Sequence, residues 1–478
     1  MKRRSLPAAG RRYRTLGYLV LCFLLLPGGK AAAQNALIGT IDSLFTALHQ
    51  NNSFNGNILI AENGTPVYEK SLGYENFDTK QPLSAASVFE LASCSKQFTA
   101  FAIALLEQQK KLNSTDDITR FLPELSAYKG ITIENLVHHT SGLPDYMQLF
   151  DSLWDKSKIA NNEDLLKLLA RYKPAVEFEP GAKFEYSNTG YALLASIIER
   201  ASGKSYGAYL EQNIFKPLKM NHTSVYNRRY KPKKIAHYAY DFLYDESAGK
   251  FVSVDSIPEM RMVYFLDGIS GDGTVNTTAQ DLLLWDKALY SDRLLPKDKM
   301  AAIFTAGKLK DGSATGYASG WMVEGNKELG KIAGHSGGWG GYRTYIERDM
   351  DKNKTIIILQ NTNKGKLPLK PLHLLLYGKP IPPPVVKTDV KLEDAVLEQY
   401  TGEYELEPGF ILAVTRQGNQ LYTQATGQSS FPIFPESEQK FYLKVVEAQI
   451  EFVKDSAGKV TKAILYQGGQ AMNAAKIK

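Results

Sequence analysis

Two groups of strand-like segments lie at opposite ends of a long helical stretch, and that separation constrains the fold more than any other feature. Residues 55–73, which contain "GNILIAENGTPVYEKSLG", form two β-rich runs around Asn63-Gly64, a pair suited to a tight hairpin turn. Residues 317–360 return to strand-like runs separated by turn residues: "YASGWMVEG", "GYRTYIERD" and "KTIIILQN". Between them, helical patterns dominate from about 112 to 225, for example over 162–172 and 190–201. Residues 97–108, "QFTAFAIALLEQ", are apolar nearly all round, which predicts a buried helix. A sheet must therefore pair the two ends of this region around a helical insertion, an α+β arrangement rather than alternating βαβ units.

The Pro-rich run "KPIPPP" opens a stiff linker, placed at 379–391, between a domain over 34–378 and a tail over 392–478. The tail consists of short alternating runs with turns at Gly418-Asn419 and Ser456-Ala457-Gly458, which predicts a small antiparallel barrel or sandwich. It holds no His or Cys, so no catalysis is expected there.

Residues 1–33 are of another kind. Basic residues from Lys2 to Arg14 precede the apolar run Leu16–Leu26, and Ala31-Ala32-Ala33 comes after it, the pattern of a secretory signal peptide whose apolar part is too short to span a bilayer. Its removal would take the charged residues from 57 Lys and Arg against 50 Asp and Glu to 50 against 50, so the basic character belongs to the signal. No basic patch remains to recruit nucleic acid. The mature chain would keep only Cys94, which rules out an internal disulfide and a cysteine metal site. The protein is expected to be exported, periplasmic or secreted.

In "ELASCSKQF", Ser93 and Lys96 form Ser-x-x-Lys at the start of the apolar helix. Residues three apart share a helix face, so the amine can reach the hydroxyl and take its proton, which makes serine a usable nucleophile. Cys94 and Ser95 point away from that face. The chain holds five such motifs; those at Ser126, Ser247, Ser437 and Ser456 fall in loops, turns or the β-rich tail. Tyr186-Ser187-Asn188 precedes the helix at 190–201; a tyrosine near a lysine can relay protons, and an amide can hold the lysine and a substrate carbonyl. Tyr74-Glu75-Asn76 repeats the pattern at a strand end and reads as a turn. The Gly-rich "GHSGGWGGY" matches the nucleophile elbow G-x-S-x-G, but the residues after Gly341 alternate like a strand, so Ser336 is read as lining a cleft and not as the nucleophile. Its glycines let substrate approach a backbone N–H. The doubled His138-His139 reads as a loop supporting the cleft, and neither metal nor cofactor is expected.

The three motifs in this order, with "LVHHTSGLPDY", "GDGTVNTTAQDLLLW" and "YASGW", resemble the penicillin-recognising serine hydrolases over residues 38–375. The similarity is to the branch of class C β-lactamases, D-Ala-D-Ala carboxypeptidases, D-amino-acid amidases and related esterases. It implies an antiparallel sheet flanked by helices, with a helical subdomain. It also implies Ser93 as acylated nucleophile, Lys96 and Tyr186 as the proton-transfer pair, and Asn188 as a positioner of lysine and substrate. The backbone N–H groups of Ser93 and Gly338 would form the oxyanion hole, with His335 as a further catalytic residue and Ser336 and Gly337 contacting substrate. Expected partners are a small molecule or peptide, including cell-wall peptide or β-lactam. His335 stands where β-lactamases of this branch carry lysine, and a neutral imidazole supplies no fixed charge for a substrate carboxylate. A non-catalytic alternative is a penicillin-binding receptor with little turnover.

Overall fold

The computed structural model describes residues 28–326, 330–379, 390–427, 430–443, 448–467 and 470–478. Most of the expected signal segment and of the Pro-rich linker therefore lie outside the described residues. The chain divides into two compact units between Lys379 and Pro380.

In the first unit, helix α1 (Gly28–Gln50) runs through Ala31–Ala33 and leads into the hairpin β1 (Gly56–Glu62) and β2 (Thr65–Leu72), which turns at Asn63 and Gly64, both at positive φ. Short strands β3 (Phe89–Glu90), β4 (Ser224–Val225) and β5 (Val275–Thr277) make a small sheet with β5 in the middle. The later strands β6 (Met322–Asn326), β7 (Gly330–Trp339), β8 (Tyr342–Asp349) and β9 (Lys354–Gln360) join the N-terminal hairpin in one antiparallel sheet, ordered β6-β7-β8-β9-β1-β2. The joint is the β1–β9 ladder, from Gly56 opposite Gln360 to Glu62 opposite Lys354, so the sequence ends of the region pair as the pattern requires.

The period-2 alternation of β1 decides what covers each face. Ile58 and Ile60, with Ile356 and Ile358, pack against α1 and α6 (Leu369–Leu376) through Phe45, Leu372 and Leu376. Leu59, Ala61, Ile357 and Leu359 join the large core containing α2 (Lys96–Gln108), α4 (Asn188–Ser202) and α5 (Ala279–Ala288). Helix α3 (Asn162–Tyr172) borders the same core through Leu165 and Leu169. With both faces covered, the central strands can be near-continuous aliphatic runs. Helix α2 is buried from Lys96 through Ile103, as its apolar circumference predicts.

The second unit is a closed antiparallel barrel whose strands run from Gly402 to Lys476. Its inward positions, among them Leu412, Val414, Leu421, Ile433 and Phe452, alternate with more exposed ones, and hairpins turn at Gly418-Asn419 and at 455–459. Among the described residues, no helix is long and apolar enough to cross a membrane.

Candidate active site

The turn that carries Ser93 is tighter than an α-helix. Ala92–Ser95 form a 3₁₀ turn and α2 begins only at Lys96. In a 3₁₀ turn residues i and i+3 eclipse, so Ser93 and Lys96 align more directly than α-helical phase alone would bring them. Ala92 sits at φ 48°, a left-handed backbone that costs an alanine energy, immediately before the half-buried Ser93.

Lys96 is fully buried, and its Nζ lies 3.0 Å from Ser93 Oγ, 2.9 Å from Asn188 Oδ1 and 2.9 Å from the Asp272 carbonyl oxygen. The last two partners only accept, so they take two N–H bonds; the hydroxyl of Ser93 can donate as well as accept, and the third contact can run in either direction. Asn188 is held from its other end, Nδ2 donating to Asp145 Oδ2 at 3.0 Å, which fixes the amide's orientation. Asp272 is buried and accepts from Tyr146 Oη at 2.8 Å; burial pushes its carboxyl above the usual range against the pull of Lys96. Cys94 is enclosed, its thiol against the His335 carbonyl, and burial pushes it up to about 12; Ser95 Oγ accepts from the Val275 N–H. Both neighbours of Ser93 are thus buried and bonded internally.

Tyr186 is half-buried, with its ring centroid 5.0 Å from Lys96 Nζ and its hydroxyl unpartnered among the described residues. The segment before α4 is clamped to His139: Glu185 N–H donates to the His139 carbonyl, and Ser187 N–H donates to His139 Nδ1 at 3.0 Å. The imidazole lies against Tyr186 at 4.3 Å between centroids and also contacts Tyr191 and Tyr317. Burial first, then the Lys96 charge, holds His139 well below its ordinary pKa. Ser187 is the helix N-cap and Asn188 the first helical residue.

Strand β7 forms the opposite wall. Ser336 and Gly338 are exposed toward the cleft, whereas His335 and Gly337 are turned inward. A Cβ on Gly337 would fall 2.2 Å from the Leu91 carbonyl oxygen and 2.3 Å from Thr344 Oγ1; glycine lets the strand press against the turn that carries Ser93. The position expected to contact substrate is therefore a packing position. His335 is 4% exposed, with Nδ1 2.6 Å from the Ser336 carbonyl and Nε2 3.0 Å from Tyr317 Oη. A carbonyl only accepts, so Nδ1 carries the proton and the neutral ring's Nε2 accepts from Tyr317. Burial and then Lys96 push His335 down to about 4, and both its nitrogens are engaged internally. Ser93, Tyr186, Asn188 and Gly338 line one cavity of about 110 Å³, and Ser93, Tyr186, His335 and Ser336 line an adjoining cleft of about 530 Å³.

Sequence reasoning alone does not pick out Asp272, Asp145 or Tyr317, although each lies in or beside a stretch noted for its resemblance. It gives His139 only the part of loop support. Tyr74–Asn76, read as a turn, is instead a short strand, with Asn76 Oδ1 accepting from the Asp78 and Thr79 N–H groups of the turn after it, and Ser247 sits in a turn held by Asp245. Among the described residues, no cluster of His, Cys, Asp and Glu could hold a metal ion.

The Beta-lactamase family profile matches residues 41–377, more than half of the chain. The chain belongs to the beta-lactamase family of penicillin-recognising serine hydrolases. Residues 387–476 of this beta-lactamase family member match a second profile, described as a domain of unknown function. Over 446 residues, 92% of the chain and 98% of the relative, it is 41% identical to penicillin-binding protein 4* of Bacillus subtilis (strain 168). The octameric penicillin-binding protein homologue from Pyrococcus abyssi superposes with a TM-score of 0.63 at 25% identity, covering 91% of this chain and 99% of that one. D-Amino acid amidase from Ochrobactrum anthropi SV3 shares the fold, with a TM-score of 0.58 at 24% identity over 72% of this chain and 97% of its own.

Proposed function

We propose that the protein is an exported serine hydrolase that opens an amide or ester bond through an acyl-Ser93 intermediate. The observation that carries this reading is the approach of Lys96 Nζ to within 3.0 Å of Ser93 Oγ, with the amine fixed from behind by Asn188 and the Asp272 carbonyl. With two N–H bonds committed to those acceptors, a neutral Lys96 turns its lone pair to Ser93, takes the hydroxyl proton and frees Oγ to attack. The developing oxyanion is received by the N–H groups of Ser93 and Gly338. Tyr186, beside Lys96 and with its hydroxyl free, passes a proton to the leaving amine or alkoxide. The same pair then activates water to release the acyl group.

The neutral, internally bonded His335 supports a substrate other than one held by a terminal carboxylate, since it supplies no cation there. Peptide amides, amino-acid amides and esters fit better than β-lactams. Export is supported by the N-terminal basic and apolar run with its small-residue site. The test is a turnover panel of p-nitrophenyl esters, amino-acid amides and nitrocefin. Hydrolysis of an ester or amide, lost in S93A, is expected; silence across the panel with a stable acyl adduct points to the receptor alternative and overturns the reading.

A further inference from the structure

The cavity beside Ser93 contains a carboxyl group that the proposed chemistry does not use. Glu90, three residues before the nucleophile, pairs on β3 with Asn276 on β5, and its side chain lines the same small cavity as Ser93, Asn188 and Gly338. It is 4% exposed, and its carboxyl has no hydrogen-bond partner among the described residues. Burying a carboxyl without a partner costs free energy, and a group kept open to a cavity beside a nucleophile is poised to be satisfied by a ligand that enters.

The charges around it select the visitor. The cavity's other two acids are occupied: Asp267 accepts from the Arg229 guanidinium at 3.2 Å and from the Arg229 and Tyr230 N–H groups, and Asp272 accepts from Tyr146. Among the described residues, no Lys, Arg or His lines this cavity; the buried Lys96 meets it through Ser93, 3.0 Å from its amine. An anionic acyl substituent would meet three carboxyl groups, whereas an ammonium supplies N–H donors to the open one. Burial, with Asp267 and Asp241, outweighs Arg229 and Arg228 and pushes Glu90 up to about 8, so it waits as a neutral acid that an incoming cation would ionise. The volume of about 110 Å³ suits a small acyl group.

We propose that Glu90 binds a protonated amine on the acyl part of the substrate, making the preferred substrates small amino-acyl amides or esters with a free amine. This rests on the serine-hydrolase reading, and the experiment separates the two. Alanine p-nitroanilide and its N-acetyl derivative, each in D and L form, are compared with wild type and E90Q by kcat/KM, while fluorophosphonate labelling reports Ser93. Glutamine replaces a neutral acid with a neutral amide of the same shape, so folding should persist; E90D, which keeps the acid but withdraws it by one methylene, serves if it does not. Wild type should prefer the free amine, and E90Q should lose about ten- to a hundredfold on that substrate, the value of a hydrogen bond to a charged group, with little change on the N-acetyl one. E90D should lose less, again only on the free amine. Equal losses on both substrates, a wild-type preference for the N-acetyl form, or Ser93 labelling without turnover of either would overturn the proposal and leave the hydrolase reading intact. Failure of Ser93 to label would overturn both.

Discussion

His139 lies under Tyr186, with ring centroids 4.3 Å apart and planes 30° apart, and its Nδ1 accepts the N–H of Ser187, the next residue along. One side chain therefore holds both the ring and the backbone of the proposed proton relay. His139 has φ 56°, which asparagine also tolerates, so His139→Asn removes the ring with little backbone penalty. The expected outcome is a fall in kcat of about ten- to a hundredfold, as for a misplaced catalytic group, with KM little changed and a lowered melting temperature, since a buried ring packed on Tyr186, Tyr191 and Tyr317 is lost. An unchanged kcat would show that Tyr186 needs no such support.

Lys96→Arg replaces an amine that can offer a lone pair with a guanidinium that stays protonated, so the proposed base for Ser93 is lost. Because the amine is enclosed by Ser93, Asn188 and the Asp272 carbonyl, the larger guanidinium also has no room to retreat. Turnover should fall by about 10²–10⁴-fold, the usual contribution of a positioned base. Steady-state kinetics on the best ester of the panel checks this.

Two buried neutral histidines make the fold acid-sensitive. His335 is held at about 4 against an ordinary 6.5, so between those values the unfolded chain takes up a proton that the native state refuses. Stability from this group is complete above pH 6.5 and is lost as pH falls toward 4, by about 1.4 kcal/mol per pH unit. His139, shifted in the same direction, adds to the slope. Urea unfolding of the wild type at pH 7, 6 and 5 should show this loss, and His335→Gln should have a shallower dependence. Equal slopes would contradict the assignment of a neutral ring.

Arg348 and Asp286 form an ion pair 3.4 Å apart that is shut off from solvent, with the guanidinium over the Tyr290 ring and Asp286 Oδ2 accepting from Thr355. Removing one partner strands the other's charge. Asp286→Ala should cost about 3–5 kcal/mol, whereas replacing both by aliphatic residues of similar volume should recover most of it. Denaturant titrations of the single and double variants decide.

Several of these features are legible in the sequence because each is a local pattern with one physical reading. The aliphatic run in "KTIIILQN" and the Asn63-Gly64 turn mark the strands that close the sheet, and the i, i+3 spacing brings Ser93 to Lys96, although through a 3₁₀ turn and not the helix itself. The strand expected after Gly341 is present as β8, where an elbow would require a helix. The features that stay hidden depend on contacts between distant segments. The Asp272 carbonyl is a backbone atom and has no residue signature. Gly337 looks like substrate floor, and only the approach of Leu91 and Thr344 makes it a packing position. His335 is expected in a catalytic role, whereas its inward turn to Tyr317 and the Ser336 carbonyl comes from strand register. Glu90 draws no notice because a glutamate on a two-residue strand is ordinary until its burial in the cavity that Ser93 also lines is known.

The central claim is that Ser93, and neither of its two neighbours, is the acylated group. Labelling with a fluorophosphonate, then peptide mass mapping, tests it in wild type, S93A, C94A and S95A. The account predicts one adduct on Ser93 in wild type, its loss in S93A, and its persistence in the other two folded variants. Labelling of S93A at the wild-type level, or an adduct mapped to Cys94 or Ser95, would contradict it.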